Sequence, residues 1–123
     1  MPIVRGSEAP EFSLPGAVVI GLAALSRGSA EVTTYRVRLN PLASMPAHRH
    51  DHEEVFTLLS GGVTTVLDAE ELPTEPGDTV IVPAGTEHYV VAGNQPADII
   101  AAVPTGTVFI TPDGEERVAD WAR

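Results

Sequence analysis

The chain has 123 residues, 43% of them hydrophobic, a formal net charge of −10 and no cysteine. That length is enough for one domain with a core of its own, and that hydrophobic content excludes a disordered chain. Seven basic residues, all arginine, against 17 acidic ones exclude a phosphate-backbone or anionic-membrane partner. The lack of cysteine excludes thiolate metal sites, redox pairs and cysteine nucleophiles.

In chain order, the first notable segment is Ala17–Leu25 (AVVIGLAAL). It is shorter than the about 20 apolar residues of a membrane span. Glu8, Glu11, Pro10 and Pro15 precede it, unlike the basic start of a signal peptide, so a buried strand in a cytoplasmic protein is expected. Short runs rich in Val, Ile, Leu and Thr mark candidate strands at Ala17–Ala24, Val32–Leu39, Glu54–Leu59, Val63–Leu67, Thr79–Val82, Glu87–Val91, Ile99–Val103 and Val108–Ile110. Gly and Pro punctuate them at every boundary, the pattern of an all-β sandwich or barrel. No segment keeps a helical period for three turns, and only Glu115–Arg123 has room for a short helical turn. Alternation in Val32–Leu39 puts Tyr35, Val37 and Leu39 inside and Arg36 and Arg38 outside. Apart from Glu54 and Thr57, Glu54–Leu59 is apolar on both faces, which predicts a strand buried on both sides or at a subunit contact. Asp68–Glu71 and Asp113–Glu116 read as solvated turns, and Trp121 is expected to pack back on the barrel.

Three of the four histidines, His48, His50 and His52, fall within five residues, and the fourth is His88. In an extended chain His48, His50 and Glu54 share one face. Two imidazoles and a carboxylate suit a hydrophobic core poorly, since burying them unpartnered costs several kcal/mol. They suit a divalent cation well. A solvated histidine-rich turn is the alternative, because Arg49, Asp51 and Glu53 surround them. Gly61-Gly62 closes the apolar run after Glu54, and Gly77-Asp78 opens a strand that ends at Pro83-Ala84-Gly85, with His88 directly after.

These residues resemble the two motifs of the cupins. His48, His50, Glu54 and Gly61 match G-x5-H-x-H-x3-E-x6-G, and Gly77, Pro83, Gly85 and His88 match G-x5-P-x-G-x2-H-x3-N. The motifs span 42–61 and 77–92, with the short 62–76 interval of small bacterial cupins of the quercetin-dioxygenase-like kind. Leu42 stands where the first motif opens with Gly, and Ala92 where the second closes with Asn; both are turn or strand-end positions. The resemblance implies a single domain over 1–123, folded as a double-stranded β-helix (jelly-roll) barrel. It also implies one divalent ion per chain (Fe, Mn, Ni, Co, Cu or Zn) held by His48, His50, Glu54 and His88. His52 matches no ligand position; its parity points inward, and a place at the pocket rim as an acid or base is expected.

Four donors leave two adjacent positions of an octahedral ion open, unlike a closed structural site. Tyr35, Val37, Phe56, Leu58, Val90, Ile99 and Ala101 are the candidate pocket walls around it. Arg36, Arg38 and Arg49 are candidate anion contacts, with solvated surface as the plainer reading. The expected function is a metal-dependent, dioxygenase-like enzyme acting on a small chelating organic substrate, with Glu54 or His52 moving a proton. Lewis-acid isomerase, lyase or cyclase chemistry and a non-enzymatic binding role are the alternatives. The resemblance further implies a homodimer in which Ile3–Phe12 adds a strand to the neighbour's sheet.

Overall fold

The computed structural model describes residues 3–123. Its strands are β1 (Glu11–Leu14), β2 (Ala17–Gly21), β3 (Val32–Leu39), β4 (Arg49–His50), β5 (Glu54–Ser60), β6 (Val63–Leu67), β7 (Glu70–Thr74), β8 (Thr79–Val82), β9 (His88–Ala92), β10 (Ala97–Pro104), β11 (Phe109–Ile110) and β12 (Glu116–Arg117). Single 3-10 turns lie at Gly6–Glu8, Leu25–Arg27 and Asp120–Ala122. One sheet runs β1-β2-β3-β10-β5-β8, a second β7-β6-β9 and a third β12-β11-β4, all with antiparallel pairing. This is the jelly-roll barrel expected of a cupin.

The core forms where the inner faces of the first two sheets meet. Val19, Tyr35, Val37, Leu39, Phe56, Leu58, Ile99 and Ala101 from the large sheet pack with Val63, Val90 and Ala92 from the small one. Every second residue of β3, β5, β9 and β10 contributes, as strand alternation requires. Arg36 lies on the outer face and pairs with Asp98, and Arg38 is exposed. β5 is buried on one face only: Glu54, Phe56 and Leu58 point in, while Leu59 is 47% exposed.

Each candidate strand is present; β3, β6 and β8 keep their expected ends and the other five are altered. The first stops at Gly21, because the chain turns through Leu25–Arg27 and leaves by Gly28 in the left-handed region (φ 95°). β1, β4, β7 and β12 were not expected. β7 is the instructive one. The acidic turn is confined to Asp68 and Ala69, both at positive φ, and Glu70 and Glu71 already belong to the strand. β7 is an edge strand, where solvent receives the glutamates and Pro73 needs no second partner.

The end of the N-terminal segment pairs within its own chain. Glu11 and Phe12 pair with Ile20 and Val19 of the same chain, and Phe12 packs edge-on against Trp121. These two residues are therefore engaged within their own barrel. The hairpin turn at Pro15-Gly16 explains this, since it brings β1 directly onto β2.

The two motif departures have different consequences. Ala92 is buried at the end of β9, where its N–H donates to Ala43 O. Leu42 adopts φ 65°, the left-handed conformation that favours the glycine it replaces. Its N–H donates to Gly93 O at 2.8 Å, so the turn keeps its shape with a strained residue. Gly61 is retained for a further reason: besides φ 75°, a Cβ there would collide with the Pro96 carbonyl oxygen.

Candidate metal centre and cavity

His48 and His88 face each other as an antiparallel pair and exchange both backbone hydrogen bonds, at 3.1 and 2.9 Å. Directly opposed residues project to the same face, so residues far apart in sequence meet here. His50 sits on β4 opposite Phe109 of β11, and its carbonyl accepts from Gly85 N. The motif glycine thus anchors the strand that carries the second histidine. The three rings lie 4.5–4.9 Å apart between centroids, and one donor atom from each falls within 4.8 Å of the others. Phe109 braces the group, 4.2 Å from the His50 ring and stacked on His48 at 5.4 Å.

The hydrogen bonds fix two tautomers. His48 Nδ1 lies 2.8 Å from Pro46 O and His88 Nδ1 2.9 Å from Thr86 O. A carbonyl only accepts, so each Nδ1 carries the proton and each Nε2 keeps a free lone pair. Such a bond from the distal ring nitrogen is how metal-binding imidazoles are oriented. His88 Nε2 and both nitrogens of His50 are buried with no partner among the described residues. An unsatisfied buried polar group costs about 1–3 kcal/mol, and a cation among the three rings would satisfy such lone pairs. The donor set therefore fits a metal ion.

Glu54 stands beside the group without merging into it. Its carboxylate is 3.6 Å from His50 Nδ1 and 3.7 Å from His88 Nε2, and it accepts a 2.5 Å hydrogen bond from Tyr35 Oη. Burial drives His50 down to about 4, and burial together with His88 lowers His48. Burial alone would lower His88, but the adjacent Glu54 carboxylate outweighs it and raises the group. Burial opposes ionisation of Glu54, yet His88, His50 and Tyr35 together hold it below its ordinary value. Burial and the Glu54 charge push Tyr35 well above the usual phenol range. At neutral pH the site thus offers uncharged His48 and His50, an ionised carboxylate and a protonated phenol, as a divalent cation requires, while Glu54 favours a proton on His88 that the cation would displace.

A cavity of about 300 Å³ opens on this group. Of the expected wall residues, Tyr35, Val37, Phe56, Val90, Ile99 and Ala101 line it, as do His48, Glu54 and His88. Leu58 does not; it is fully buried in the core, further along β5 from Glu54. His50, 2% exposed, lies behind the wall. His52 is not at the rim with its ring inward. Its side chain is 50% exposed, bonded to Asp51, and absent from the cavity wall. β4 ends at His50, and Asp51 ties the chain to Val108 through two hydrogen bonds, so the strand parity that pointed His52 inward no longer applies. Arg36, Arg38 and Arg49 do not line the cavity either.

Sequence reasoning missed Met45, Tyr89, Phe109, Arg117, Asp120 and the cavity role of Trp121. Trp121 does pack back on the barrel, 6.1 Å from Tyr35 and 6.0 Å from Phe109. The only signal for this C-terminal wall was the isolated aromatic residues at 109 and 121.

The model of the cupin domain family matches residues 35–103, and the chain belongs to that family. Auxin-binding protein 4 of Zea mays is 30% identical over 103 aligned positions, covering 73% of this chain and 50% of that protein. The chain thus spans about half the length of this relative. Among solved structures, the polyketide cyclase RemF of Streptomyces resistomycificus superposes with a TM-score of 0.78 at 19% identity, covering 98% of this chain and 88% of that one. Salicylate 1,2-dioxygenase of Pseudoaminobacter salicylatoxidans, in adducts with gentisate, superposes with a TM-score of 0.66 at 19% identity, covering 76% of this chain and 26% of that one. At these identities the structures share the fold. Among the described residues no helix is long and apolar enough to cross a membrane.

Proposed function

We propose that the protein is a metal-dependent enzyme of the dioxygenase type acting on a small, largely apolar molecule that chelates the ion through oxygen. The observation that carries this reading is the set of buried, unpartnered imidazole nitrogens at an apolar cavity. In this reading His48, His50 and His88 hold one divalent ion, and Glu54 is the fourth donor. Nitrogen and oxygen donors without thiolate suit Fe, Mn, Co, Ni, Cu or Zn. When bound, the ion supplies positive charge to a developing oxyanion and, if redox-active, electrons.

The chain's own residues do the rest. Glu54, ionised and on the cavity wall, takes the proton from an acidic C–H or O–H of the substrate. Tyr35 keeps that carboxylate oriented through its 2.5 Å bond. Phe56, Val90, Ile99 and Phe109 exclude water and hold a flat apolar body. The fold shared with a dioxygenase and with a cyclase supports chemistry at this site. A second reading, ligand binding without turnover, draws on the relative whose name is auxin-binding protein 4.

Dioxygen uptake by the Fe(II)-loaded protein against a panel of catechols and β-diketones tests the choice. The dioxygenase reading expects one dioxygen consumed per substrate transformed. Substrate transformed without uptake would move the chemistry to the Lewis-acid class, and saturable binding with no product would leave a binding protein.

A further inference from the structure

Arg117 is the one arginine lining the cavity among the described residues. Register explains how it arrives there. Arg117 of β12 pairs with Phe109 of β11, and Phe109 pairs in turn with His50 of β4. Residues directly opposed across adjacent strands project to one face, so Arg117, Phe109 and His50 form a row on the same face of this small sheet. Two strand spacings, about 10 Å, separate its ends.

The other charges near the cavity have partners. Asp120 also lines it and lies 3.8 Å from Arg123, while Glu54 is held by Tyr35 and the histidines. Arg36 is paired with Asp98, and Arg27 bonds to the carbonyls of Leu22 and Trp121. Arg117 forms no ion pair among the described residues. A chain of net charge −10 thus places an exposed arginine without an ion-pair partner among the described residues at the edge of its apolar cavity. Trp121 of the same wall has an indole N–H with no acceptor among the described residues.

We propose that Arg117 is the anion anchor of this cavity, and that the cavity takes a flat, mostly apolar carboxylate of one or two rings. The carboxylate meets Arg117, the ring lies along Phe109, and a second oxygen group faces the histidines. That last orientation rests on the metal-dependent reading above, whereas the anchor itself does not. A cavity of about 300 Å³ is at the lower end of ligand-site sizes, which matches so small a molecule. Guanidinium is suited to this task because it binds carboxylate through two parallel N–H donors and never loses its charge.

Trp121 is the only tryptophan, so its fluorescence reports on this cavity alone. The test titrates 3-phenylpropionate and its neutral amide, 3-phenylpropanamide, into wild type, Arg117→Gln and Arg117→Lys, each metal-free and zinc-loaded. Wild type should bind the acid about tenfold more tightly than the amide, the scale of one charge-assisted contact. This preference should persist without zinc. Arg117→Gln should abolish it while leaving amide affinity and zinc content unchanged, and Arg117→Lys should keep part of it. An acid-to-amide ratio unchanged in Arg117→Gln would overturn the proposal, as would the absence of binding of either compound to wild type. A preference present only with zinc would also overturn the anchor, since the metal would then be holding the carboxylate; that outcome leaves the metal-dependent reading intact. Loss of zinc binding with the preference retained would do the reverse.

Discussion

Replacing His88 with alanine should weaken metal binding by at least about 100-fold while the barrel remains folded. Even outer-shell changes cost 10–100-fold in metal affinity or activity, and His88 is proposed as a direct donor, its Nδ1 tied to Thr86 O and its Nε2 buried without a partner among the described residues. The fold should tolerate the change. The His48–His88 pairing that closes this part of the barrel is made by backbone atoms, which alanine retains. Zinc titration by calorimetry gives the affinity, and circular dichroism with thermal unfolding confirms the fold. Wild-type affinity in a folded His88→Ala protein would remove His88 from the donor set.

The second large effect is acid destabilisation of the metal-free protein. His50 titrates near 6.5 when unfolded and at about 4 when folded, because burial penalises its charged form. Between these values the unfolded chain binds more protons than the native one, so stability falls as pH drops from about 6.5 towards 4. The shift corresponds to roughly 3 kcal/mol, a large share of the about 5–15 kcal/mol typical of a domain. His48 acts in the same direction. His88 acts in the opposite one: its folded value is raised, so its contribution is full below the unfolded value and fades as pH rises through the folded one. Glu54 contributes above its unfolded value and loses that contribution as pH falls through its lowered folded value. Urea unfolding with chelator present, at pH 7 and pH 4.5, measures the net result. His50→Leu should flatten most of the dependence, and a slope equal to wild type in that variant would contradict the assignment.

The two motifs were legible in the chain because each candidate ligand is fixed by local spacing, and the antiparallel pairing of His48 with His88 brings the two halves together. Strand existence was also legible: the apolar runs of β3, β6 and β8 kept their predicted bounds. What failed did so for identifiable reasons. His52 was placed by strand parity, but its strand ends two residues earlier. Leu58 shares the inward parity of Phe56, yet periodicity says nothing about depth along the barrel, and depth decides between core and cavity wall. β4 and β12 have two residues each, too short for any periodic signal, and they carry His50 and Arg117; the strand expected at Val108–Ile110 is β11, but nothing in the sequence set its Phe109 between them. Most of the C-terminal wall was hidden for this reason, and with it the one arginine among the described residues lining the cavity. Leu42 shows the converse case: a motif glycine is absent, and the backbone still takes the conformation the glycine would have adopted.

Metal analysis of protein produced without a histidine tag, after growth in metal-replete medium, tests the central claim most directly. The arrangement of His48, His50, Glu54 and His88 predicts about one divalent ion per chain, retained through gel filtration at neutral pH. Fewer than about 0.2 ions per chain, with no uptake on adding zinc or iron(II), would contradict it.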